Sequence, residues 1–359
     1  MGGVGNKLTL STGALQVVGT GSATLRGGQV GADNSEVIIA NFGSSLFTLN
    51  SALSSGTGQV SFNGTGTTQV GGASAYTGVT LLNGGIVSLG SSSVLATASV
   101  DTAASWAGYF AYGAGPLGVG SAVTLANAAG VSLDLNGYTL AVASLSGGGA
   151  SGGNLALSSG GTLIVGGGSF IHNVSGTAAN NVLAGQVTGS GNITVTGGNS
   201  LKLSNLTNTF GGQLNVAGGT LEIAGPGALG NASLVSVTSI ASTQGLPGGM
   251  LLLQGGLGAV GVTTSANFGF GGRGNYAVGL TLASIGNNTL NGKFVLGTVS
   301  ENRLGSMAGT LTLGNAGTLL LGSVGNSFYN THGYGNILVN AMAVGIAKTN
   351  EIFYAKATG

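Results

Sequence analysis

The sequence predicts an all-β fold, a single-chain parallel β-helix (β-solenoid) of short strands joined by Gly- and Asn-rich turns. Three observations predict it. Of 359 residues 75 are Gly, about three times ordinary usage. Short runs of Val, Ile, Leu and Thr alternate with polar residues and stop at Gly-Gly, Asn-Gly, Ser-Gly or Gly-Ser. A strand–turn–strand cassette recurs with no helical pattern between its copies.

The elements follow in order. Segments 8–10, 14–18, 60–62, 131–135 and 201–203 each belong to a stretch of about four to six residues, the length of a strand. Inside them the period is two, and Gly or Asn at the ends supplies the positive φ of a corner. No stretch places apolar residues at i, i+3, i+4 and i+7 between caps, so very little helix is expected. Gly249-Met250-Leu251-Leu252-Leu253 meets Gln254-Gly255-Gly256 long before the ~18 residues of a membrane span. No charged and apolar leader precedes Gly2-Gly3-Val4-Gly5, so the numbering is expected to begin on a mature fragment or after a removed leader.

Repeats decide between β folds. Residues 76–89 lie over 210–223 at a shift of 134, and 58–64 over 191–197 at a shift of 133. A looser echo appears at 309–314 and 317–322. Short strands cannot bury an apolar side alone, so each coil is expected to stack on the next through parallel ladders ~4.8 Å apart. At roughly 20–30 residues per coil the chain makes about 12–18 coils, a rod on the order of 60–85 Å long. One elongated domain over 1–359 is expected, with irregular aromatic-rich segments near 101–120, 265–278 and 326–359.

Asn208-Thr209-Phe210-Gly211-Gly212-Gln213-Leu214-Asn215-Val216-Ala217-Gly218-Gly219-Thr220-Leu221-Glu222-Ile223, running on through Gly227-Ala228-Leu229-Gly230, resembles the autotransporter-associated β-strand repeat of bacterial surface proteins. Asn136-Gly137-Tyr138-Thr139-Leu140, leading to Ser144-Leu145-Ser146-Gly147, is similar to the small strand that often precedes such repeats. The match is specific over about 190–230, fair over 58–96 and 134–167, and faint elsewhere. The resemblance implies a right-handed parallel β-helix, exported and displayed outside a bacterial cell. These 359 residues hold no translocation barrel of the autotransporter kind and no protease or lipase block.

Composition narrows the function. Eight basic and seven acidic residues leave a net charge of +1, which offers no field for nucleic acid and no polybasic face for a membrane surface. Without Cys there is no disulfide framework. Asp33, Glu36, Asp101, Asp134, Glu222, Glu301 and Glu351 are scattered, whereas a polysaccharide-cleaving groove needs converging carboxylates. The Asp33/Glu36 pair reads as a solvated turn, and Asp134 faces water by alternation. His172 and His332 are far apart, so no metal, no cofactor and no catalytic role is expected. The Asn-x-Ser/Thr triplets at Asn63, Asn173, Asn192, Asn205, Asn231 and Asn287 arise by chance in such a composition. Stacked Asn side chains bonding to one another at equivalent corners are the expected use of Asn.

Aromatic clusters carry the candidate contacts. Trp106, Tyr109, Phe110 and Tyr112 form one, and Phe268, Phe270 and Tyr276 surround Arg273 in a second. Phe328, Tyr329, His332 and Tyr334 form a third, and Phe353 with Tyr354 a fourth. Aromatics and Arg in irregular segments suit self-association or ligand contact. Neither the strand-like start at 7–10 nor the finish at 352–357 carries a charge block, and open strand edges invite further copies. The expected role is a structural subunit of an extracellular bacterial filament, sheath or surface layer, its partners copies of itself. The alternative is a surface-displayed adhesin rod that binds a glycan or a neighbouring cell.

Overall fold

The computed structural model describes residues 6–11, 14–32, 35–95, 112–118, 120–166, 180–196, 200–238, 248–255, 261–271, 280–296, 302–314, 318–321, 326–328, 335–339 and 343–346. The backbone divides into two compact units. One comprises Met1–Thr102, Ala107–Ile171 and Asn181–Asn192, the other Ala103–Trp106, His172–Asn180 and Ile193–Gly359. Strands dominate both, and the sole helical element among the described residues is the 3₁₀ turn Ser158–Gly160.

In the first unit two parallel ladders alternate along the chain. One holds eight strands in chain order: Lys7–Thr9, Ala23–Gly31, Phe47–Ser54, Thr67–Val70, Ile86–Leu89, Ser132–Asp134, Asn154–Leu157 and Val187–Gly189. The other takes the strands between them, Ala14–Val17, Val37–Asn41, Val60–Gly64, Thr80–Leu82, Ala122–Leu125 and Ser144–Gly147. Thr139–Val142 and Thr162–Val165 pair in a third. The chain thus leaves each ladder and returns one coil further on, the path of the predicted β-helix. Val60 faces Thr80, Ser132 faces Asn154 and Ala23 faces Phe47, steps of 20, 22 and 24 residues. A step of 43 separates Thr80 from Val123, and within it Val94–Leu95 pairs antiparallel with Tyr112–Ala114.

The second unit repeats the scheme. One ladder runs through Ser200–Leu203, Gly219–Ile223, Gly249–Gln254, Leu282–Ile285 and Asn302–Leu313. Another runs through Asn192–Val195, Gln213–Val216, Leu234–Thr238, Asn267–Gly271, Phe294–Leu296, Thr318–Leu321 and Ala343–Ile346. The 12-residue strand Asn302–Leu313 joins two ladders across an irregularity, its second half pairing with Asn288–Leu290. Both copies of the sequence cassette fold alike. Val60–Gly64 pairs in parallel with Thr80–Leu82, and Asn192–Val195 with Gln213–Val216.

Period two in the strands becomes columns in the core. Leu15, Ile39, Phe62, Leu82 and Leu125 stack coil upon coil in the first unit. Ile193, Leu214, Val235, Phe268 and Phe294 do so in the second, all fully buried. Each fully buried side chain of this size contributes about 1.5–3 kcal/mol.

Several Asn side chains tie down the backbone of the corners. Asn41 donates Nδ2–H to the Thr67 carbonyl at 2.9 Å while its Oδ1 accepts from Gly43 N–H, also at 2.9 Å. Asn136 donates to the Leu89 carbonyl, Asn154 accepts from Gln186 N–H, and Asn208 donates to the Ala228 carbonyl. Each of these side chains bonds to a backbone group. Corner backbones carry more unsatisfied N–H and C=O groups than strands do, and a short amide reaches them.

Candidate functional site

Of the residues nominated from sequence, Trp106, Tyr109, Phe110, Arg273, Tyr276, Tyr329, Tyr334, Phe353 and Tyr354 lie outside the described residues. Tyr112 opens the strand Tyr112–Ala114 and Phe328 closes the strand Asn326–Phe328. Phe268 and Phe270 correct the expectation of an irregular contact segment. They sit on the regular strand Asn267–Gly271 and point into the core. Phe268 stacks on Phe294 at 5.1 Å between ring centroids, and Phe270 lies 6.0 Å from Phe268. Both rings are covered by the chain's own core. The missed signal is the spacing itself: two apolar residues two apart, with Gly between, share one face of a strand.

The outward faces carry the side chains left open to solvent. On the eight-stranded ladder Thr24, Thr48, Gln69, Ser88 and Asp134 lie opposite one another in successive coils. They form a row of hydroxyl, amide and carboxylate groups about 4.8 Å apart, exposed at Thr24, half-buried at Thr48, Gln69 and Asp134, and buried at Ser88. Asp134 is half-buried between Ser132 and the turn, its Oδ1 accepting Asn136 N–H at 3.0 Å. At a corner of the first coils the exposed apolar side chains Val18 and Phe42 sit on neighbouring backbone, joined by the Phe42 N–H to Val17 carbonyl bond of 2.9 Å.

The described acids do not converge. Exposed Glu36 accepts through Oε1 from Gln59 at 2.8 Å and Ser61 at 2.5 Å. Glu222 pairs with Lys202 at 2.6 Å, its register partner on the adjacent strand. Asp33, Asp101, Glu301, Glu351, His172 and His332 lie outside the described residues. Inside the first unit Tyr76, Thr80 and Ser121 make a buried hydroxyl chain with both contacts at 2.6 Å. Burial holds the Tyr76 phenol far above its ordinary range, only partly offset by the bonds to Thr80 and Ser121. Sequence reading overlooked this chain. Thr80 stands where a core column otherwise runs Val37, Val60, Val123, and that polar intrusion was its visible sign. The outward row at Thr24, Thr48 and Gln69 offers hydroxyl and amide groups for hydrogen bonding.

No protein-family model and no solved structure matches the chain. It is similar to the adhesin BmaC autotransporter of Brucella suis biovar 1 (strain 1330), 31% identical over 217 residues. That stretch is 60% of this chain and 5% of the relative, so the chain spans a small part of the length of the protein it matches. Two shorter stretches are similar to phosphoribosylformylglycinamidine synthase subunit PurL. One, from Methylocella silvestris, is 55% identical over 56 residues, 15% of this chain and 7% of the relative. The other, from Beijerinckia indica subsp. indica, is 88% identical over 25 residues, 7% of this chain and 3% of the relative. Neither is long enough to carry a fold or an activity across. The resemblance to autotransporter surface proteins thus finds partial support in an adhesin relative, not in a family model.

Proposed function

We propose that this chain is a β-solenoid segment of a bacterial surface adhesin, displayed outside the cell and holding a partner on its outward faces without turning it over. The similarity to an autotransporter adhesin over 217 residues carries this reading. It favours the adhesin alternative over the filament subunit expected first from the sequence. The coil architecture fits the role physically, because repeated coils set a long row of side chains at a constant spacing. Along that row the accessible Thr24, Thr48 and Gln69 are neutral and the one charged member is half-buried Asp134, which suits a hydroxyl-rich partner such as a glycan.

The test is direct. Beads coated with the purified chain should bind cultured cells, or a panel of immobilised glycans, well above beads coated with an unrelated protein at equal density. Equal binding by the two coatings removes the adhesin reading. The aromatic segment nominated from sequence is probed in the same assay by Trp106→Ala, with a loss of about ten-fold expected if it touches the partner.

A further inference from the structure

We infer that Asn83-Gly84 is a self-modification site, at which the Asn83 side-chain amide is lost through a cyclic imide that water opens to aspartate and isoaspartate. Four Asn-Gly pairs occur in the chain, at 63–64, 83–84, 136–137 and 291–292. Each joins a labile carboxamide to a following nitrogen that no side chain shields. The fold leaves one pair open and restrains the other three.

Asn83 is exposed, whereas Asn63, Asn136 and Asn291 are half-buried. Asn63 lies inside the strand Val60–Gly64, where the parallel ladder to Val37–Asn41 keeps it extended. Asn136 donates through Nδ2 to the Leu89 carbonyl at 3.1 Å, and Gly137 N–H is committed to the Ser158 carbonyl at 2.8 Å. Asn291 has a buried Oδ1 with no hydrogen-bond partner among the described residues. Charge developing on that oxygen during attack would be neither solvated nor bonded. Asn83 stands past the end of the strand Thr80–Leu82, at a corner open to water.

The corner also leaves the reacting nitrogen weakly held. Asn83 N–H donates to the Phe62 carbonyl at 2.8 Å, and Gly84 N–H reaches the same oxygen only at 3.3 Å. Glycine at 84 is fixed by crowding, since a Cβ there would lie 2.3 Å from the Gly64 carbonyl oxygen. Stacking of the coils thus demands the residue that makes the pair labile. In the reaction Gly84 N gives up its proton and bonds to Asn83 Cγ. The bond from Cγ to Nδ2 breaks, and Nδ2 takes up a proton and leaves as ammonia. Water then adds at Cγ, which leaves aspartate, or at the Asn83 main-chain carbonyl, which leaves isoaspartate. In either case Gly84 N regains a proton, and water is the only co-reactant. The new carboxyl is ionised at neutral pH, so one event takes a chain of net charge +1 to neutrality.

The experiment incubates the folded chain in warm, mildly alkaline buffer. It follows ammonia release, ion-exchange elution and peptide mass spectra, with fragmentation that tells aspartate from isoaspartate. The guanidinium-unfolded chain gives the rates of the four pairs free of the fold. In the folded chain Asn83 is expected to convert at least about ten-fold faster than Asn63, Asn136 or Asn291, and to both products. Asn83→Gln, which would have to close a larger ring, is expected to stay intact and to lose the acidic shift in elution. An Asn83 that stays intact in the folded chain, or converts no faster than the other three, overturns the inference. Aspartate without isoaspartate overturns it as well, because the imide opens both ways.

Discussion

Gly64 closes the strand Val60–Gly64 with φ +99°, and a Cβ there would overlap the Asn41 carbonyl oxygen of the preceding coil. Gly130 has φ +79° but no neighbouring atom within 4 Å of the same position. The two separate conformational strain from crowding. Gly130→Ala should cost about 1 kcal/mol, the left-handed penalty alone. Gly64→Ala should cost about 3 kcal/mol or more, because backbone must also move. Urea denaturation measures both, and equal losses would show that crowding between coils is not what demands Gly. Tyr76 supplies a second prediction at this scale. Its phenol stays neutral in the fold after the unfolded chain's phenol has ionised, so the native state holds that proton more tightly. The associated stability is complete below about pH 10 and is lost as pH rises toward the raised native value. Tyr76→Phe should flatten that alkaline loss by up to about 1.4 kcal/mol per pH unit. At neutral pH it should cost only about 1 kcal/mol, since Thr80 and Ser121 keep one another. An unchanged alkaline slope would mean that the phenol is not shielded. Residues of this kind were poorly legible in the sequence. With 75 glycines the composition announces corners but not which of them are crowded.

Strands were legible because a period of two survives in segments as short as Leu201-Lys202-Leu203, which forms most of the strand Ser200–Leu203. Which ladder each strand joins was not legible. That choice depends on where the chain turns, and Gly accepts almost any turn. The strand Asn267–Gly271 shows the consequence: its aromatics were read with the glycines around them as loop, yet they fill two adjacent core columns. In the column Ile193, Leu214, Val235, Phe268, Phe294 the aliphatic side chains give way to stacked rings. Phe294→Ala should therefore cost about 3–5 kcal/mol, whereas Phe294→Leu, which keeps most of the volume, should cost about 1.5 kcal/mol or less. Similar costs for the two would show that Phe268 and Phe270 close the cavity. The outward pair Lys202 and Glu222 belongs to the same scale and to a weaker class. It is 30% and 17% exposed, so Lys202→Ala should cost under about 1 kcal/mol, less still in 1 M salt. A salt-independent loss would point to packing of the Lys202 stem.

Coils that touch only the coils before and after them give a molecule whose stability is a chain of local terms. The repeat at a shift of 133–134 residues let this organisation be read from the sequence, since both copies fold into the same parallel pair. Insertions such as the 43-residue step between Thr80 and Val123 break the rhythm, and no periodicity announces what they do. Local coupling makes a prediction for damage that a single cooperative core would not. In the second unit Phe294→Ala should speed amide hydrogen exchange most in the strands Phe294–Leu296 and Asn267–Gly271, which share the damaged column. The effect should fall across Leu234–Thr238 and Gln213–Val216 and be least at Asn192–Val195, four strands along the ladder. Nearest-neighbour energetics produce that gradient, because removing one ring opens the adjacent interface and leaves the next intact. Exchange that rises equally in all five strands would mean that the unit opens as one block, and the stacked-coil account of its stability would have to be abandoned.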